Sequence, residues 1–282
     1  MSEINFKYHN LKNLLKEYKK VAIAFSGGTD SFLLAYIAKQ VLIPDKILLI
    51  FINHDFSPSY LKAKTIKRAQ FLRIPFYSIN ISLLHFPNLI ANSTNRCYLC
   101  KKICFQQLKK TVFNPGFEII CDGTNKTDLI LDNRPGIKAL NELNIKSPFC
   151  EIGLTKQDIF HLYEKLGIKK FILPPNSCLA TRVKTGIKLD KSLLSKIDKA
   201  ENYLIKKGFM GVRVRTDGNQ VKIQVFPWQI PYLINIKKEI ELVLKKIGFK
   251  HITIDKNGYR PIGLDKETYH IESESSNKEA LG

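Results

Sequence analysis

Apolar positions along this chain follow two rhythms that take turns. Unbroken apolar stretches at Val21 to Phe25, Lys46 to Asn53, Pro75 to Ile79 and Glu118 to Cys121 have the length and branched content of strands covered on both faces. Between them lie segments with helical spacing: around Leu11 to Tyr18, Phe32 to Val41 (apolar face Leu33, Leu34, Ile37 and Ala38), Ser59 to Leu72, and Cys100 to Val112 after a polar loop at Asn92 to Arg96. Thr155 and Asp158 form a capping-box pair that opens a further helix through Lys165. Strands alternating with helices predict an α/β fold, a doubly wound and mostly parallel sheet.

The pattern changes near Thr185 to Ile187. Leu189, Leu193, Ile197, Ala200 and Leu204 mark one helix face, followed by two short alternating strands, Gly211 to Arg215 and Val221 to Phe226, around the turn Asp217-Gly218-Asn219. A helix from Ile230 to Ile247 and a strand from His251 to Ile254 complete a smaller α+β unit. The expected organisation is therefore a first domain over 1–185, a small domain over 186–270, and a loose polar tail over 271–282.

Composition narrows the function classes. The chain has 282 residues, 44% of them apolar, enough for a sizeable core. No stretch approaches the roughly 20 apolar residues of a membrane span, and the first residues are polar and charged, so a cytoplasmic location without membrane contact is expected. Six cysteines in a chain of this length read as reduced thiols. The formal charge of +20, from 45 Lys plus Arg against 25 Asp plus Glu, would attract phosphorylated substrates or polyanions.

The chemistry concentrates in a few places. Ser26-Gly27-Gly28-Thr29-Asp30-Ser31 follows the first strand and precedes a helix. Two glycines let backbone N–H groups approach an anion, and the helix start adds unpaired donors and a positive dipole end. The loop lacks the lysine of G-x-x-x-x-G-K-[ST], so it is not built to grip terminal phosphates in that manner. Asp122-Gly123-Thr124-Asn125 closes the fourth strand, facing the same crevice, and Asp128, Asp132 and Arg134 follow. Carboxylates there could hold Mg²⁺ on ATP, and Arg134 could meet a phosphate.

Cys97 and Cys100 form a C-x-x-C beside Arg96 and Lys101, and Cys178 lies in a distant Ser-Cys-Leu-Ala-Thr-Arg segment. The spacing alone is compatible with metal ligation, redox exchange or chance. Three cysteines with a free fourth position would suit a [4Fe–4S] cluster with one open iron. Cys104, Cys121 and Cys150 read as buried thiols. Arg213 and Arg215 share one strand face and, with Arg182, could bind an anionic substrate.

Taken in order, AFSGGTDS, NRCYLCK, CDGTN, DNRPGIKALNEL, SPFCEIGLTKQDI, SCLATR and VRVR resemble the LarE family of ATP-dependent sacrificial sulfur transferases, within the PP-loop ATP pyrophosphatase superfamily. The resemblance covers most of the chain. It implies adenylation of a carboxylate on a pyridinium dicarboxylate mononucleotide with release of pyrophosphate, then sulfur insertion to make the precursor of the nickel-pincer nucleotide. By the same resemblance Ser26, Gly27, Gly28, Thr29, Ser31, Gly123 and Asn125 would hold ATP, with Asp30 near Mg²⁺. Arg134, Thr181, Arg182, Arg213 and Arg215 would hold the substrate. Cys178 matches the cysteine that attacks the acyl-adenylate and gives up its sulfur, leaving dehydroalanine; in members that also carry the C-x-x-C, Cys97, Cys100 and Cys178 would instead ligate a [4Fe–4S] cluster bearing an extra sulfide. All three cysteines are present, which favours the cluster version, recharged by a separate sulfur donor. Gln224 stands where members usually carry an acidic residue.

Assembly as a homo-oligomer is expected. A PP-loop tRNA thiolase is the nearest rival and would account for the charge, but tRNA is disfavoured because no second C-x-x-C and no added RNA-binding module are found. An amide-forming ligase would need ammonia and not cysteine sulfur. An ATP-binding scaffold would leave Cys178 without purpose.

Overall fold

The computed structural model describes residues 2–113, 116–130, 135–218 and 220–260. Helix α1 (Glu3–Tyr18) leads into β1 (Val21–Ala24), α2 (Thr29–Val41), β2 (Ile47–His54), α3 (Ser59–Leu72) and β3 (Phe76–Ile81). A short α4 (Pro87–Ile90) precedes α5 (Arg96–Phe113) and β4 (Ile119–Cys121). Short helices α6 (Lys126–Ile130), α7 (Pro135–Glu142) and α8 (Pro148–Glu151) lead to α9 (Lys156–Lys165). The second unit contains α10 (Lys191–Lys206), β5 (Arg213–Thr216), β6 (Gln220–Gln224), α11 (Ile230–Asn235), α12 (Lys237–Ile247) and β7 (His251–Ile254).

The first four strands form one parallel sheet in the order β3-β2-β1-β4. Alternation along the strands divides the core between two faces. Val21, Ile23, Ile47 and Leu49 pack with residues of α1, α2 and α9, while Ala22, Ile50 and Ile120 pack with Phe105 and Leu108 of α5 and Leu140 of α7. Helices on both faces of a parallel sheet are the architecture expected from the sequence. The smaller sheet, ordered β5-β6-β7, is antiparallel between β5 and β6 and parallel between β6 and β7. Its core is continuous with part of the first unit: Phe56, Leu83, Leu89 and Cys104 belong to the same apolar cluster as Leu194, Val214 and Ile223.

Several boundaries shift for physical reasons. Helix α1 starts at Glu3 because Ile4 and Tyr8 also pack on the core. Strand β3 runs two residues past Ile79 because its parallel pairing with β2 continues to Ile81 opposite His54. Helix α5 begins at Arg96, not Cys100, so the polar stretch read as loop supplies the first turn, with the Leu99 amide bonded to the Asn95 carbonyl at 3.2 Å. The helix expected over Ile230 to Ile247 is divided at Ile236, whose φ of −100° and ψ of 17° leave the helical region. The capping box is as expected, with Thr155 and Asp158 bonding reciprocally. The segment 271–282 lies outside the described residues, as do Asp132 and Arg134.

Candidate functional site

In a parallel sheet of this kind, loops at the carboxyl ends of the strands surround one crevice. Three such loops matter here: Ser26 to Gly28 after β1, His54 to Phe56 after β2, and Asp122 to Asn125 after β4. The helix following the first loop starts at Thr29, so Asp30 and Ser31 stand in its first turn.

The Ser26 loop is fixed by its carbonyls. The Ser26 carbonyl accepts from Thr65 Oγ1 at 3.0 Å, Gly27 from the Arg68 guanidinium at 2.8 Å, Gly28 from the Phe32 amide at 3.0 Å, and Thr29 from the Tyr163 hydroxyl at 2.7 Å. Gly27 has φ +69°, and a Cβ there would lie 2.6 Å from Thr65 Oγ1, so only glycine fits. Ser26 Oγ lies 3.1 Å from Ser31 Oγ and accepts from the Gly28 amide at 3.3 Å. Thr29 is buried, its hydroxyl exchanging bonds with the Leu173 backbone N–H and carbonyl, so this side chain ties the loop down.

Gly123 passes over the start of α2, where an added Cβ would come within 2.9 Å of the Ser31 nitrogen. Asn125 is buried, its side-chain oxygen accepting from the Thr127 amide at 3.0 Å. Asp122 accepts from Thr124 and from Ser147 Oγ at 2.7 Å, with Lys101 3.9 Å away. Asp30 is paired with Lys156 at 2.6 Å. Removal from water pushes the Asp30 carboxyl above its usual range, Lys156 pulls it back, and the Asp128 and Asp122 carboxylates raise it further. Lys156 is the first residue of α9 and was not singled out in the sequence; its place directly after the Thr155 cap was the available signal.

Near the end of β2 the start of α5 approaches the Cys178 segment. Cys97 is exposed in the first turn of α5, and Cys100 is half-buried one turn on. Cys178 precedes a single helical turn at Leu179–Arg182, whose Leu179 amide bonds the Phe56 carbonyl at 2.7 Å, pinning this segment to the end of β2. Burial pushes the Cys178 thiol up, Arg96 pulls it down, and Cys100 and Cys97 raise it again.

Arg96 organises this group. It is buried, donates to Asn92 Oδ1 and to the Ala180 carbonyl at 3.2 Å, and reaches Cys97 Sγ at 3.8 Å. No carboxylate pairs with it among the described residues. Asn92, buried with φ +55°, donates to the Lys184 carbonyl at 2.9 Å and so ties the same corner to the second unit.

The arginines fall into different roles. Arg182, expected among the residues that hold the substrate, is paired with Glu201 at 2.7 Å in a fully buried pair, and the charge that lowers the Cys178 thiol is that of Arg96. Arg182 also donates to Ser177 Oγ at 2.6 Å and Thr181 Oγ1 at 2.9 Å. Arg213 is buried, donating to the Val212 and Pro175 carbonyls and lying 4.6 Å from the Tyr259 ring centre. Burial and the neighbouring Arg182 lower both Arg213 and Arg215. Arg215 lines a cavity of about 620 Å³ with Thr181, Lys184, Lys222, Gln224 and Asp255. Gln224 accepts from Arg215 at 2.6 Å and donates to Asp255 at 2.8 Å, so a carboxylate just past β7 stands next to Gln224. Thr181 Oγ1 bonds the Cys178 carbonyl at 2.7 Å, joining this cavity to the sulfur site.

As expected, Cys104 and Cys121 are buried, and Cys150 is half-buried, bonding the Thr124 carbonyl at 3.2 Å with its thiol pushed up to about 12 by burial. No described helix is long and apolar enough to cross a membrane.

No family model matches the chain. Its relatives include an uncharacterized protein of Methanocaldococcus jannaschii, 34% identical over 257 residues covering 90% of this chain and 97% of that protein. An uncharacterized protein of Synechocystis sp. is 31% identical over 262 residues, covering 92% and 97%. The pyridinium-3,5-bisthiocarboxylic acid mononucleotide synthase of Lactiplantibacillus plantarum is 27% identical over 260 residues, covering 92% of this chain and 94% of the synthase.

Proposed function

The chain belongs to the LarE family, and from that premise we propose that it is an ATP-dependent sulfur transferase acting on a pyridinium dicarboxylate mononucleotide. The N–H groups of the Ser26 loop and the start of α2 receive the ATP phosphates. Asp30, now paired with Lys156, would hold Mg²⁺, and Lys156 would then be available to a phosphate. A substrate carboxylate oxygen attacks the α-phosphorus, the bond to the β-phosphate breaks, and pyrophosphate leaves. This converts an unreactive carboxylate into an acyl-adenylate, from which sulfur displaces AMP. Arg215 and the lysines of its cavity offer counter-charges to the anionic nucleotide, next to Thr181.

What supports this reading is Arg96, a buried guanidinium without a carboxylate partner among the described residues, which reaches Cys97 Sγ and the Ala180 carbonyl and so links the turn carrying Cys97 and Cys100 to the segment carrying Cys178. That set fits a [4Fe–4S] cluster: three sulfur ligands, and a positive charge to offset thiolates in a half-buried site. Such a cluster, with one open iron, would supply a sulfide that can be renewed. The cysteines would hold it, and Arg96 would fix Cys97 against the Cys178 segment.

Anaerobic purification, with absorption, iron content and the mass of the Cys178 peptide followed through reaction with ATP, Mg²⁺ and the pyridinium substrate, tests the proposal. Iron–sulfur absorption that disappears on replacing any of the three cysteines is expected. Colourless protein whose Cys178 becomes dehydroalanine would replace the cluster by sacrificial transfer. Absence of pyrophosphate release under all conditions would remove the enzymatic reading.

A further inference from the structure

Cys104 follows Cys97 and Cys100 on α5 at positions i, i+3 and i+7, the spacing of a single helix face. The sulfurs of Cys100 and Cys104 lie within 4.8 Å of each other. Opposite them, at the end of β2, stands His54. One ligand atom each from His54, Cys100 and Cys104 lies within 4.8 Å of the others, with Cys104 buried and the other two half-buried.

We infer that His54, Cys100 and Cys104 form a second metal site, specific for a thiophilic divalent ion of the zinc type. Two thiolates and an imidazole with one open position are a known zinc ligand set, and soft sulfur donors disfavour magnesium or calcium. With zinc–sulfur bonds of about 2.3 Å, ligand atoms of a tetrahedral site stand roughly 3.8 Å apart, so the present spacing needs to close by no more than about 1 Å. The three residues lie on two rigid elements, which suits a defined coordination geometry better than loops would. The His54 ring is oriented by the Phe56 amide, which donates to Nδ1 at 3.2 Å, and its centre lies 5.9 Å from the Phe56 ring in an edge arrangement. A cation on the ring takes over the lone pair now facing that amide, or the ring shifts its proton to free the other nitrogen. Each thiol loses its proton to solvent as its sulfur bonds the ion, so about two protons leave per ion bound.

Cys100 belongs both to this set and to the cysteine trio proposed above. An ion held by His54, Cys100 and Cys104 therefore withdraws Cys100 from that trio. This consequence rests on the cluster reading; the ion site does not.

Titration of the full-length, metal-free protein with Co²⁺ as the zinc probe separates the two. A thiolate-to-cobalt absorption band saturating at about one ion per chain is expected. It should persist in a Cys97→Ser/Cys178→Ser double variant, which retains none of the cluster chemistry. Cys104→Ala and His54→Gln should each weaken Co²⁺ binding at least about tenfold, the range typical of altered metal shells. Circular dichroism confirms that each variant is folded; if Cys104→Ala is not, the half-buried His54 carries the test. A band lost in the double variant, or indifferent to both His54 and Cys104, overturns the assignment.

Discussion

The Ser26 loop and the cysteine site lie along the carboxyl edge of the same sheet yet are held in opposite ways. The loop is six consecutive residues whose carbonyls are fastened by Thr65, Arg68, Phe32 and Tyr163. The cysteine site is assembled from the start of α5 and the Cys178 segment, fastened by Arg96, Asn92 and the Phe56 carbonyl. A contiguous site inherits its geometry from one turn of chain. An assembled site depends on how two units of the fold meet, so damage far from the chemistry can reach it.

The largest expected effect separates the two sites chemically. Cys178→Ser should lower sulfur transfer by about 1000-fold or more, because it removes one of the three ligands of the proposed cluster, with ATP-dependent pyrophosphate release far less affected. A comparable loss of both activities would show that the two sites do not act separately. Next is Glu201→Gln, which strips the buried Arg182 of its counter-ion and weakens the bond to the Val214 amide. Urea unfolding should show a loss of about 3–5 kcal/mol. A change below about 1 kcal/mol, the level of an exposed pair, would mean that water reaches the Arg182–Glu201 pair.

Gly27→Ala should cost about 1–2 kcal/mol in the left-handed region, beyond its contact with Thr65. ATP-analogue affinity measured calorimetrically should fall about tenfold, while the iron or cobalt content of the protein stays the same. A parallel loss of metal would erase the distinction between the sites. The smallest effect concerns Asp255, whose carboxyl is held low chiefly by the Gln224 amide, against burial and with help from the Asn257 amide. A depressed carboxyl stabilises the fold above its ordinary value of 3.8, and that stability is lost as pH falls through the lower folded value. Gln224→Leu should move the Asp255 titration upward in an NMR pH series and reduce the acid-side loss of stability. An unmoved titration would assign the depression to the backbone bonds alone.

The same contrast explains what could be read from the residues in advance. Ser26 to Ser31 could be recognised because strand, glycines and helix start are adjacent in the chain. Thr155 and Asp158 were legible because a capping box is three residues long. The parallel sheet followed from its apolar runs. Arg96 and Lys156 were not assigned, because an arginine in a polar loop and a lysine at a helix start acquire meaning only from a thiol or carboxylate far away in sequence. The pairing of Arg182 with Glu201 was not legible either, because Glu201 lies on another helix 19 residues away. Cys104 looked like one more buried thiol until β2 set His54 opposite it.

The fastening of the Ser26 loop also sets its preference for sign of charge. With the carbonyls of Ser26, Gly27, Gly28 and Thr29 all turned to protein donors, the loop has oxygen dipoles facing inward and, apart from the Gly28 amide held by Ser26 Oγ, N–H dipoles left for its ligand. A bare metal ion finds no cage of carbonyl oxygens there. The backbone of this loop therefore favours an anion over a bare cation, and that preference is written into the direction of four peptide groups.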